Sequence, residues 1–152
     1  QNPNFQYYNS GEKILLFGRN KIMATFTGPE VVVENLNAEQ LFNKLSDLNN
    51  LKEIMPSSIE NFQSDENSCS FKMKGMPELN LGLSEKTPFS KISLSASGSP
   101  VSFSLDCFIT DCGEKCQARL EVNAELNMMM KMMVEKPINN FLSVLSDKIR
   151  TL

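Results

Sequence analysis

The chain has 152 residues, 41% of them hydrophobic and 22% charged, with a formal net charge of −3, the proportions of one globular domain whose core needs no disulfide or metal staple. It contains no histidine and no tryptophan, which removes Ser–His and Cys–His nucleophile pairs, His-ligated metals and the usual neutral-pH general base. No apolar run approaches the ~18 residues of a membrane span, and an acidic chain without a basic stripe is a poor partner for nucleic acid.

Residues 1–22, QNPNFQYYNSGEKILLFGRNKI, differ from the rest. They are rich in Asn and Gln and hold one short apolar run, Ile14 to Phe17, too short for a signal peptide. Lys13, Arg19 and Lys21 face only Glu12 here, which leaves 12 basic and 17 acidic residues in the remainder. Met23 then opens a strongly patterned segment. The segment 1–22 reads as a leader or expression-derived arm outside the fold, and 23–152 as the domain. The functional alternative is an arm laying Ile14 to Phe17 along a sheet edge or a neighbouring subunit.

From Thr25 to Glu34 the pattern predicts a strand broken at Gly28-Pro29. Asn37 is an N-cap with Gln40 at the capping-box position, and Leu41, Phe42, Leu45 and Leu48 follow at helical spacing. A second short helix, about Leu48 to Met55, ends at Pro56. Strands then follow in series. A first lies around Ile59 to Gln63, and the others alternate apolar and polar residues from Cys69, Leu79, Ile92, Val101 and Cys116, the last as far as Leu126. Gly75-Met76-Pro77, Pro88, Gly98-Ser99-Pro100 and Asp111-Cys112-Gly113 separate them as turns. Such strands make an antiparallel sheet with one dry face. Its cover is the C-terminal segment, where Val134, Ile138, Phe141, Leu142, Leu145, Ile149 and Leu152 trace one helical stripe. Pro137 either kinks this helix or opens its second half.

Three of the four cysteines, Cys69, Cys107 and Cys116, fall on apolar strand positions and read as reduced, core-filling thiols of a cytoplasmic protein. Cys112-x3-Cys116 has a zinc-like spacing but lacks a second pair or a histidine, so no metal and no cofactor are expected.

The order of strand, two short helices, about six antiparallel strands and a long terminal helix resembles the α+β helix-grip fold of the START, Bet v 1 and polyketide cyclase superfamily (SRPBCC). The most specific parts are Phe26-x-Gly28-x-x-x-Val32, the helix from Ala38 to Asp47, Pro56, and Glu85-x-x-Pro88, as in the carbon monoxide dehydrogenase-associated branch. The resemblance implies a cavity between sheet and terminal helix, with functions from lipid or hormone carriage to cyclisation and dehydration.

The residues facing that cavity by parity are almost all apolar, which points to binding by shape and excluded water. Phe71, Leu81, Phe103, Leu105, Met130, Met133 and Phe141 are the candidate ligand contacts. Met128 to Met133 places five methionines in six residues at the start of the terminal helix, where flexible thioethers suit an adaptable surface or plain core filling. The leading expectation is non-enzymatic binding of a hydrophobic or lipid-like molecule. Glu85 continues an inward row and is the one candidate base for a cyclase or dehydratase, though a carboxylate at a strand's end ordinarily faces water. A protein-interaction module, with a homodimer as one form of it, built on exposed methionines and the N-terminal arm is the third reading.

Overall fold

A computed structural model describes residues 7–9, 13–17, 21–96 and 102–152. Its strands are β1 (Tyr7–Asn9), β2 (Lys13–Phe17), β3 (Lys21–Thr27), β4 (Val31–Val33), β5 (Ile59–Ser64), β6 (Ser68–Met73), β7 (Leu79–Thr87), β8 (Lys91–Ala96), β9 (Phe103–Cys112) and β10 (Lys115–Leu126). Helix α1 (Ala38–Ser46) and a 3₁₀ helix (Leu48–Ile54) precede β5, and α2 (Met128–Arg150) ends the chain. The strands form one sheet in the order β1-β2-β3-β10-β9-β8-β7-β6-β5, with β4 also paired to β10. Every pairing is antiparallel. This is the α+β helix-grip architecture expected from the element order.

Local chemistry explains the element ends. Asn37 Oδ1 accepts from the Gln40 backbone N–H at 2.8 Å and Gln40 Oε1 accepts from the Asn37 N–H at 2.9 Å, a complete capping box that starts α1. Asn127 caps α2 by accepting from Met130 N–H at 2.7 Å. Helix α2 runs through Pro137 without a break. The lost backbone bond there falls on the carbonyl of Met133, on the exposed face where water can reach it. Gly113, at φ +86°, takes the left-handed conformation in the turn joining β9 to β10. Val101 and the expected turn Gly98-Ser99-Pro100 lie outside the described residues.

Strand β3 starts two residues ahead of the boundary expected at Met23, and β1 and β2 lie wholly ahead of it. Ile22 is fully buried and stands opposite Leu126, because the buried row Ile22, Ala24, Phe26 begins one alternation earlier than Met23. The backbone of β2 pairs with β3 from Leu15↔Met23 to Phe17↔Lys21, and β1 pairs with β2.

One core fills the space between the sheet's dry face, α1, the 3₁₀ helix and α2. Its centre is aromatic. Phe71 of β6 stacks on Phe141 of α2 at 5.9 Å and on Phe62 of β5 at 6.3 Å. Helix α2 comes close to the chain at Gly28, whose N–H donates to the Leu120 carbonyl. A Cβ there would lie 3.2 Å from both Leu142 Cβ and Ser146 Oγ, so the absent side chain lets α2 settle onto the sheet. No helix among the described residues is long and apolar enough to cross a membrane.

Candidate functional site

The fold leaves a cavity of about 40 Å³ beneath the C-terminal half of α2. Leu45 of α1, Leu51, Ile54 and Met55 of the 3₁₀ helix and its cap, and Leu145 and Ile149 of α2 form its roof and sides, while Ile92, Leu94, Leu105, Cys107 and Leu120 form its floor. The lining is apolar except for the Cys107 thiol. Burial pushes that thiol's pKa up to about 12, with the nearby Cys116 and Asp106 adding to the rise, so it stays protonated at neutral pH. Larger hollows, of about 540 and 330 Å³, are open depressions with polar walls along β5–β7 and around Phe89. The 40 Å³ cavity is less open than either, and its walls are apolar side chains of the core.

One wall of this cavity is unusual in its backbone. Runs of 3₁₀ helix longer than about 3–4 residues are uncommon because their hydrogen bonds are poorly aligned, yet here the run has seven residues. Leu48, Leu51 and Ile54 recur every third position and are all buried, so burial of one stripe compensates the weak backbone. Asp47 Oδ1 accepts from the Asn49 N–H at 3.0 Å and caps its start. Its far end is held from α2, where Lys148 Nζ donates to the Met55 carbonyl at 3.2 Å.

The candidate ligand contacts are distributed differently from what parity predicts. Leu105 lines the cavity. Phe71, Leu81, Phe103 and Phe141 are buried in the surrounding core but do not line it. Met130 is partly buried against that core, and Met133 is 67% exposed. Both methionines lie at the other end of α2, roughly 20 Å from Leu145 at the helical rise of 1.5 Å per residue. The residues not singled out are those of the cover: Leu45, Leu51, Ile54, Met55, Leu145 and Ile149. The three-residue spacing of Leu48, Leu51 and Ile54 was a readable signal for the wall they form.

Glu85 does not continue the inward row. The β7–β8 register shifts between Leu83 and Glu85, and such an extra residue reverses the parity of the residues after it. Its carboxylate is exposed, 3.2 Å from Lys91 Nζ, and accepts from Thr87 Oγ1 at 3.0 Å. Lys91 first, then Thr87, hold its pKa below the ordinary carboxylate value, opposite to the raised pKa of a buried base. On the same wet face Arg119 pairs with Glu121 at 3.2 Å and lies over the Phe108 ring, and Asn123 Nδ2 bridges Asp106 and Glu121. Asp106 is nevertheless 8% exposed, more enclosed than a solvated cross-strand residue.

The four cysteines are unpaired, with Cys69, Cys107 and Cys116 buried and Cys112 exposed. Among the described residues no three His, Cys, Asp or Glu side chains come together as a metal-ligand group.

The fold is shared with solved structures. Norcoclaurine synthase from Thalictrum flavum, in complex with dopamine and hydroxybenzaldehyde, is 12% identical, with a TM-score of 0.65 and 86% of each chain covered. A START superfamily protein from Mycobacterium smegmatis is 12% identical with a TM-score of 0.58, covering 84% of this chain and 96% of that one. A conserved protein from Geobacillus kaustophilus is 16% identical with a TM-score of 0.58, covering 84% of this chain and 92% of that one. No family model and no curated protein sequence matches the chain. At these identities the likeness is one of fold, the START and Bet v 1-like helix grip, and fold alone assigns no chemistry.

Proposed function

We propose that the chain binds a hydrophobic, lipid-like small molecule in an expanded form of the cavity between sheet and α2. The observation that carries this reading is the almost wholly apolar space beneath the C-terminal half of α2. Apolar walls bind by removing ligand surface from water, worth about 0.8 kcal/mol per methylene. The fold's other examples support it by analogy, since one is a synthase in complex with two small aromatic molecules.

The cavity of about 40 Å³ is smaller than the ~150 Å³ that holds a benzene molecule. Binding therefore requires a wall to move. The 3₁₀ helix is the wall built to do so. Its backbone hydrogen bonds are of the weaker 3₁₀ kind, and a short segment beginning with Met55 and Pro56 connects it to β5. A catalytic reading has no support from the cavity, whose one titratable lining group is a thiol held protonated.

Titration of the full chain, freed of bound lipid, with straight-chain alcohols from hexan-1-ol to dodecan-1-ol tests the proposal. Saturable one-to-one binding is expected, tightening with each methylene until the tail outgrows the site. Leu105→Phe, which puts a ring into the space, should weaken it at least tenfold while the circular dichroism spectrum is retained. Absence of saturable binding, or binding indifferent to Leu105→Phe, would overturn the proposal.

A further inference from the structure

Lys148 occupies a position that an apolar carrier does not need. It lies on α2 between Leu145 and Ile149, both of which line the cavity, and its ammonium reaches the carbonyl of Met55, a third lining residue. Among the described residues it forms no ion pair. Its neighbour Asp147 is engaged by Arg150, and Glu53, on the 3₁₀ helix, is engaged by Lys44 at 2.9 Å. A half-buried cation whose acceptor is a neutral carbonyl thus stands at the rim of a greasy cavity.

We infer that Lys148 is a head-group site, and that the ligand is an amphiphile with a small anionic head, of which a straight-chain carboxylate is the simplest case. This rests on the carriage reading above and adds the polar end of the ligand to it. Competition for the ammonium drives the exchange. A hydrogen bond between two ionised groups is roughly twice as strong as one to a neutral acceptor, so an arriving carboxylate outcompetes the Met55 carbonyl for Nζ. The exchange frees the Met55 end of the 3₁₀ helix, the wall that must move. The Met55 carbonyl is left at the rim, within reach of water. Head-group binding and opening are then one event, and a neutral ligand of equal length must break the latch without replacing it.

Octanoate and octan-1-ol, titrated separately into the full wild-type chain and into Lys148→Met, test this. Methionine keeps the length of the stem and removes the charge. The octanoate-to-octanol affinity ratio is expected to fall about tenfold or more in Lys148→Met, the scale of a lost charged hydrogen bond. Octanol should bind the variant at least as tightly as wild type, because the latch is already gone, and that binding also shows the variant is folded. An unchanged ratio with octanol still bound overturns the head-group site and leaves the apolar carrier standing. Failure of octanol to bind wild type overturns the carrier itself, and the head-group site with it.

Discussion

The two halves of α2 meet different surroundings. From Ile138 to Ile149 the helix buries Ile138, Phe141, Leu142, Leu145, Ser146 and Ile149 against the sheet, roofs the cavity and latches the 3₁₀ helix through Lys148. From Met128 to Lys136 it shows solvent a row of large apolar side chains, with Met129, Met132 and Met133 at 72%, 73% and 67% exposed. Lys131, by contrast, is buried there and pairs with Glu135 at 3.6 Å. The half richest in unusual composition is the one with the least packing. The half of ordinary leucines and isoleucines roofs the cavity. Composition marks where a helix is odd, whereas burial marks where it packs.

Thiol chemistry gives the widest contrast. Cys107 lies under the C-terminal half with its pKa pushed up to about 12, so at neutral pH it holds roughly a thousandfold less thiolate than an ordinary thiol of pKa ~8.5–9. Exposed Cys112 should be modified by a disulfide reagent at once. Cys107 should react only as fast as the cavity opens. Equal rates at the two sites, measured by peptide mapping, would show that the C-terminal half is not a closed cover.

Packing comes next. Phe141→Ala removes one side of the Phe71–Phe141 stack and should cost about 3–5 kcal/mol in denaturant unfolding. Gly28→Ala introduces a Cβ at 3.2 Å from Leu142 and Ser146 and should cost about 1–3 kcal/mol. Adding Ser146→Ala should not deepen that loss, since the buried Ser146 hydroxyl has no hydrogen-bond partner. On the other half, Met129→Ser and Met132→Ser should each change stability by no more than about 0.5 kcal/mol. A large loss from either would mean that the methionine row is packed in solution, against another copy or another segment.

Much of the fold was legible because the sheet has one dry face, so alternation in Cys69–Met73, Leu79–Leu83 and Cys116–Leu126 reports both strand and orientation. Asn37 and Gln40 announced α1 for an equally local reason. The site was less legible. Parity says which residues face inward and is silent on which of them meet a void, so Phe71, Leu81, Phe103 and Phe141 were indistinguishable from Leu105. The cover is contributed by helices far apart in sequence, and the meeting of Met55 with Lys148 is set by tertiary packing. Parity alone turns Glu85 inward, while the ordinary rule that a strand-end carboxylate faces water gives its actual place; the bulge responsible is one that alternation does not reveal.

The nine methionines provide the most direct test of a ligand site beneath α2, because one of them, Met55, lines the cavity while four, Met128, Met129, Met132 and Met133, are exposed on the other half of the helix. Methyl NMR of the methionine-labelled full chain during titration with octan-1-ol reports both places at once. A ligand entering the cavity should shift the Met55 methyl saturably while those four stay in place. Shifts confined to the four exposed methyls, with Met55 unmoved, would contradict the cavity site and put the ligand on the surface instead.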